Sequence, residues 1–279
     1  MPSADDYFAA IAAGDEVLLK ACLQATPGLA QAVGDGGGEA GAAGNTGLHF
    51  CVRSGTPAMA EILIAAGVDL EACNSEGRTA LHDAIEYGQH DIEAVLHAHG
   101  AHVDICAAAI LGRDERVQQL LDEDPERVND RSTHLSPLGW ASYGNQAQVA
   151  RLLLDRGARM DDGELLCAAA VGHVEVARVL IADQVDINAI NTGAGCAALH
   201  AAVVMRYTDD SSAFVAMLLE AGADVKLITP QGLTALQIAE ECARRQEESP
   251  PEGADGEESQ RKNYAGVVQL LRDAESAVS

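Results

Sequence analysis

Histidine and carboxylate side chains are concentrated between residues 76 and 104, in the segment EGRTALHDAIEYGQHDIEAVLHAHGAHVD. These residue types coordinate metal ions or transfer protons when they converge on one point. His97 and His99 would point to different sides of a helix end, and His102 follows the glycine beyond it. This spacing lacks the H-x3-H fork of a helical zinc site, and it favours contacts with a helix C-terminus. We therefore expect neither a bound metal nor a cofactor.

Motifs that would indicate catalysis are also missing. The segment GDGGGEAG, at residues 34–41, lacks the Lys-Ser/Thr ending of a phosphate-binding loop, and no nucleophile elbow or zinc signature occurs. Asp83 and Glu86 stand one helical turn apart, but two solvated carboxylates make a weak acid–base pair. One alternative stays open: a small-molecule-binding protein or enzyme whose pocket is formed by Asp83, Tyr87, Trp140 and Tyr143.

The chain is strongly acidic, with 43 Asp and Glu against 18 Lys and Arg and a formal net charge of −25. Nucleic acids and anionic membranes need a basic face, so we expect neither as a partner. Two readings of the acidic surface remain open. It either steers a partner with basic residues or only keeps the protein in solution.

Targeting and redox features predict a cytoplasmic protein. The N-terminal sequence MPSADDYFAA has neither a basic flank nor an apolar run, and no stretch approaches the ~18 apolar residues of a membrane span. The seven cysteines are scattered and odd in number, which is typical of reduced thiols in an intracellular protein. Arginine outnumbers lysine, and Ala and Gly are abundant, which hints at a bacterial source.

The histidine-rich segment is one copy of a repeated pattern. TALH at 79–82 recurs as TGLH at 46–49, SPLG at 136–139, CAALH at 196–200 and TALQ at 234–237, and two short apolar helical patterns follow each copy. Each repeat thus has a first and a second helix. The first apolar residues of the first helices are Tyr7, Leu48, Leu81, Ile105, Leu138, Leu165, Leu199 and Leu236. With its T-P-L-H-like core and a period near 33 residues, the chain resembles the ankyrin-repeat family.

The resemblance implies an all-α solenoid of about eight helix pairs, including the caps, in a single domain covering residues 1–279. We expect N-terminal cap helices at 1–33, a flexible Gly/Ala loop at 34–46, repeats at 47–243, a disordered acidic loop at 244–263, and a C-terminal cap helix with a tail at 264–279. It also implies that His49, His82 and His200 bond to neighbouring loops and hold stacked repeats in register. Those histidines would then be structural.

Two intervals between first helices are short. The steps from Leu81 to Ile105 and from Leu138 to Leu165 are 24 and 27 residues, which leaves no room for a projecting β-hairpin finger. The missing fingers either open gaps for a partner's side chains or are neutral deletions.

Three positions on each first helix are expected to face the concave groove. They are polar or mixed near the N-terminus (Phe50, Arg53, Asp83, Glu86, Tyr87) and apolar further along (Ile110, Leu111, Trp140, Tyr143, Val171, Val204, Met205). An apolar strip with a central Trp is typical of an interaction site, although the same residues could instead be core. We therefore expect a monomeric, non-catalytic module that binds an intracellular protein or peptide, which would carry basic residues if the acidic surface steers binding.

Overall fold

The computed structural model describes residues 1–34, 43–161, 163–204, 211–248 and 263–277. Within these ranges sixteen α-helices form eight consecutive pairs, so the predicted all-α repeat architecture is confirmed. The chain divides into two compact units, Met1–Pro137 and Leu138–Ser279. They are called the N-terminal and C-terminal units below.

The N-terminal unit contains four helix pairs: α1 (Ala4–Ala13) with α2 (Glu16–Ala25), α3 (Gly47–Ser54) with α4 (Pro57–Ala65), α5 (Ala80–Glu86) with α6 (His90–Ala98), and α7 (Ile105–Ile110) with α8 (Asp114–Glu123). Short 3-10 turns follow α2 and α8, at Pro27–Gln31 and Pro125–Asn129. Strands β1 (Val33–Gly34) and β2 (Asn45–Thr46) pair antiparallel, so both ends of the expected Gly/Ala loop are paired; residues 35–42 lie outside the described chain.

The C-terminal unit contains the other four pairs: α9 (Pro137–Tyr143, beginning at the unit boundary) with α10 (Ala147–Asp155), α11 (Glu164–Val171) with α12 (Val174–Ala182), α13 (Ala198–Val203) with α14 (Ser212–Glu220), and α15 (Ala235–Glu248) with α16 (Tyr264–Ala277). The expected acidic loop therefore starts later than residue 244. Residues 244–248 are helical because Arg244 bridges Glu241 and Glu248 along α15, while 249–262 are outside the described residues.

Local sequence explains why the helices end where they do. A residue in the left-handed conformation follows many of the first helices, for example Gly55 after α3 and Gly172 after α11. Asn145 takes this role after α9, with φ 58°, and an Asn is tolerated there better than other residues that carry a Cβ. At the other end, Thr46 and Thr79 cap α3 and α5 through contacts with the histidine at the third helical position.

The core of each unit is built mainly from Ala, Leu, Val and Ile, with few aromatic side chains. Small residues on the first helices allow the pairs to approach closely. Gly47 shows how tight this packing is in the N-terminal unit, since a Cβ there would collide with the buried Tyr7 hydroxyl. This accounts for the Gly in TGLH, where the TALH copy has Ala80.

Connections between repeats are of two lengths. Residues 66–79, 183–197 and 221–234 form fingers ahead of α5, α13 and α15, whereas residues 99–104 alone join α6 to α7, and 156–163 join α10 to α11. Isolated bridges Asn191–Cys196 and Ile228–Thr234 lie within two of the fingers. The prediction that the repeats of Ile105 and Leu165 lack projecting hairpins is confirmed. None of the helices in the described chain is both long and apolar enough to span a membrane.

Candidate interaction site

The repeat histidines hold neighbouring repeats together through their two ring nitrogens. His49 Nδ1 accepts from the Thr46 backbone at 3.1 Å, and its Nε2 donates to the Arg78 carbonyl at 2.9 Å. Burial lowers the pKa of His49 to about 4, although the bond to the carbonyl opposes this shift. His200 likewise donates to the Leu227 carbonyl at 3.0 Å. These histidines are neutral and have a structural role, because each connects its helix to the next loop.

His82 differs because the following repeat has no finger. Its Nε2 lies 3.1 Å from an oxygen of Asp104, the same carboxylate that accepts from the Ala107 N–H at the start of α7. Burial alone would raise the pKa of Asp104, but the bonds from His82 and from the helix N–H groups hold this pKa below its usual value. A side-chain carboxylate thus takes the place of the loop carbonyl.

The four remaining histidines of the opening segment contact charged side chains. His90 and His97 each lie 3.5 Å from a Glu93 oxygen, His97 also contacts Arg113, His99 pairs with Glu61, and His102 contacts Arg116. Among the described residues, no group of three or more His, Cys, Asp and Glu side chains is placed to hold a metal ion.

A buried ion cluster occupies the α5 region of the N-terminal unit. It consists of Arg78, Glu76, Asp83 and Glu86 and is called the Arg78 cluster. The Arg78 Nε lies 3.0 Å from Asp83, one terminal nitrogen lies 3.3 Å from Glu76, and the other pairs with Glu86. Arg78 and Asp83 are almost completely buried. The Arg78 side chain therefore occupies the space beside α5.

Burial dominates the ionisation of this cluster. It raises the pKa of Asp83 to about 6, while the Arg78 guanidinium acts in the opposite direction. The pKa of Glu86 is also raised by burial, again opposed by Arg78. Because three carboxylates share one buried cation, removing that cation would leave buried negative charge without compensation.

The other predicted groove residues of the N-terminal unit have mixed environments. Phe50 is half-buried and stacks at 4.5 Å from the Phe8 ring, while Arg53 and Tyr87 are exposed. Leu111 is half-buried, and Ile110 is only 8% exposed. The expectation that Ile110 lies open to a partner is wrong, because it ends the wholly buried helix α7.

The predicted residues of the C-terminal unit also divide between core and surface. Trp140 is 1% exposed, with its ring 6.1 Å from that of Tyr143 in an edge-on contact. The prediction of an open Trp anchor is therefore wrong: Trp140 is part of the core. Val171 is half-buried, whereas Val204 is 45% exposed. Met205 lies outside the described residues.

An open apolar cleft of ≈ 280 Å³ lies at Val204. Its walls come from α11, α13 and α15 and from the fingers at 183–197 and 221–234. They include Ala170, Ala201, Val204 and Ile238, which lie two or five residues after the first apolar residue of their helices, together with Cys196. Among the described residues that line the cleft, none carries an ionised side chain, and the His200 Nε2 is already bonded. The arrangement suits an apolar side chain.

Sequence reasoning did not single out several residues of this site. Leu166 lies on α11, and Ala194, Cys196 and Thr229 lie on the two fingers. The sequence did contain a signal for this site. The segment GAGCAALH has only small residues before its Leu, whereas the equivalent segment EGRTALH carries Arg78. Small side chains there leave space that a long side chain would fill.

The alternative pocket of Asp83, Tyr87, Trp140 and Tyr143 is not supported by these environments. Asp83 is paired with Arg78 in the N-terminal unit, and Trp140 is enclosed in the core. A catalytic site needs acid, base or nucleophile groups that converge on an accessible point.

Comparison with known proteins agrees with the repeat architecture. A family model described as ankyrin repeats (three copies) matches residues 8–106 and 105–191. An E3 ubiquitin-protein ligase, KEG of Arabidopsis thaliana, is 25% identical over 264 residues, which cover 82% of this chain and 15% of that protein. The chain thus spans only a small part of that relative. Ankyrin repeats are generally protein-interaction modules. The chain belongs to the ankyrin-repeat family.

Proposed function

We propose that this chain is a non-catalytic interaction module that binds a protein or peptide through the apolar cleft of the C-terminal unit. The observation that carries the proposal is the cleft itself. Val204 is 45% exposed beside Ala170, Ala201 and Ile238, on positions that ankyrin repeats present to the groove. Apolar surface that the described residues leave exposed is typical of an interaction site.

The open shape of the cleft supports a peptide over a small-molecule substrate. Its volume of ≈ 280 Å³ is near the lower end of the ~300–1,000 Å³ usual for ligand pockets, and it is not enclosed. It has room for one or two side chains of a longer segment. The rest of that segment would lie across the neighbouring fingers, where Ile228 and Leu233 are also exposed.

Charge supports a basic partner over a second copy of this chain. Two copies, each with a net charge of −25, repel one another, whereas a partner with Lys and Arg beside its apolar anchor is attracted. All seven cysteines are free thiols, which fits an intracellular setting.

The test uses a random dodecapeptide library displayed on phage and selected against the full chain. Val204→Asp places a charge in the cleft at an exposed position, so we expect the selected peptides to bind at least about tenfold more weakly while the melting temperature hardly changes. Val17→Asp is the matched control, because Val17 is 80% exposed on α2 in the other unit. Equal affinity for wild type and the Val204 variant, or failure to select any peptide, would overturn the proposal.

A further inference from the structure

We propose that the cleft receives one aliphatic side chain of the partner, about the size of Leu or Met, at the position that Arg78 fills in the N-terminal unit. This inference rests on the proposed function and specifies its partner. It arises from comparing the α5 and α13 repeats, which share one backbone frame but fill it differently.

The backbone shows that Arg78 and Cys196 are equivalent. Each residue immediately precedes the residue that caps its helix, Thr79 before α5 and Ala197 before α13. The Arg78 carbonyl accepts from the Asn74 N–H at 2.9 Å, and the Cys196 carbonyl accepts from the Asn191 N–H at 3.1 Å. In both fingers an Asn N–H therefore bonds to the carbonyl of this residue, across four residues in one finger and five in the other.

Side chains at the equivalent positions differ in kind. Arg78 extends along α5 to Asp83 and Glu86. Counting from the two helix starts, the counterparts of these carboxylates are Ala201 and Val204. Cys196, Ala201 and Val204 all line the cleft. The cleft thus lies where the long side chain and its two carboxylates are missing.

The chemistry of the walls selects an aliphatic occupant. A buried cation needs a paired charge, and in the α13 repeat the two carboxylate positions carry Ala and Val. Two polar lining groups already have partners, since His200 donates to the Leu227 carbonyl and the Thr229 hydroxyl oxygen accepts from the Leu233 N–H at 3.4 Å. An apolar side chain therefore matches the mainly apolar lining.

Residues flanking the anchor in the partner are expected to be basic. They would lie outside the cleft, in the field of a chain whose net charge is −25. Such long-range attraction is screened by salt. Salt should therefore weaken binding through the flanks and leave the requirement for the aliphatic anchor unchanged.

The first experiment scans the selected peptide and needs no change to the protein. Replacing its aliphatic anchor with Ala should weaken binding about tenfold or more, because burial of several methylene groups is lost. Exchange between Leu and Met should change the affinity less than about tenfold, and Lys at the anchor should abolish binding. Selected peptides that lack an aliphatic residue, or that keep their affinity with Lys at this position, would overturn the inference.

The second experiment introduces the residues of the Arg78 cluster at the equivalent positions of the C-terminal unit. In a variant with Cys196→Arg, Ala201→Asp and Val204→Glu, an ion cluster fills the cleft from within, and we expect peptide binding to be lost with the helical content retained. Cys196→Met is the companion variant, which fills the cleft with an apolar side chain and should also block binding. Unchanged affinity in the Met variant would overturn the inference.

The two proposals fail in different ways. If the selected peptides bind the Val204→Asp variant as tightly as the wild type, the proposed function is overturned. Peptides that depend on Val204 but use a polar, aromatic or charged anchor would leave the proposed function in place and overturn only this inference.

Discussion

The α5 and α13 repeats show two uses of one backbone frame. In α5 the residue before the helix cap is Arg78, and its guanidinium is enclosed by Asp83, Glu86 and Glu76. In α13 the equivalent residue is Cys196, and an open apolar cleft occupies the space beside it. The carbonyl of each residue accepts a hydrogen bond from an Asn N–H of its finger. Fold is therefore conserved between the repeats while surface chemistry is not.

This difference separates stability from recognition. The charged groups of the Arg78 cluster pair with one another, and its Arg78 and Asp83 side chains are almost completely buried, so its main effect is on folding. In the cleft, by contrast, the Val204 side chain is left 45% exposed to solvent.

The largest stability effect is expected at Trp140. Trp140→Ala removes a side chain that is 1% exposed, and such truncations cost about 4 kcal/mol in the free energy of unfolding. Val204→Ala, in the same unit, should change it by less than about 0.5 kcal/mol because Val204 is partly exposed. Urea denaturation measures both. Similar values for the two variants would show that Val204 belongs to the core.

A somewhat smaller loss is expected when the ion cluster is broken. Arg78→Ala leaves Asp83 and Glu86 without their cation, which should destabilise the fold by about 3 kcal/mol. Joint replacement with Arg78→Met and Asp83→Leu removes the cation and the most buried carboxylate together, so it should recover much of that loss. Cys196→Ala is the matched control and should cost less than about 1 kcal/mol. Equal costs at residues 78 and 196 would contradict the comparison.

The pH dependence of stability should contain two opposing contributions from the N-terminal unit. His49 has a folded pKa of about 4, below its ordinary value, so the unfolded chain takes up the proton first, and about 2 kcal/mol is lost between pH 7 and 5. Asp83 has a folded pKa of about 6, above its ordinary value. The folded chain therefore takes up that proton first, and about 1 kcal/mol is gained over the same interval.

Single variants separate these two titrations. His49→Gln should flatten the acid-side decrease in the free energy of unfolding, and Asp83→Asn should steepen it. The measurement is urea denaturation at several pH values between 5 and 7. A His49→Gln variant with the same pH slope as wild type would contradict the assignment.

Much of the fold was predictable because the repeat carries local signals. The TALH-like cores, the left-handed residue at Asn145 and the short intervals before Ile105 and Leu165 each follow from neighbours in the sequence. The register histidines followed from the family resemblance, and the bonds of His49 and His200 to loop carbonyls agree with it.

The site was harder to predict because exposure depends on packing between repeats. Trp140 and Val204 were both expected to face the groove, yet one is buried and the other exposed. The Arg78 cluster joins a residue before α5 to residues within it, and the sequence does not show which side chains fill the space between. Residues 244–248 were expected to be disordered from their composition alone, but they are helical, with Arg244 paired to Glu241 and Glu248.

The central claim is that the partner enters the α13 cleft and not the filled α5 surface. The most direct test is a methyl NMR titration of the full chain, with labelled Ala and Val, using the peptide selected from the phage library. The account predicts shifts of the Ala201 and Val204 methyl signals, with the Ala84 signal of α5 unchanged. Shifts at Ala84 without any change at Ala201 and Val204 would contradict it.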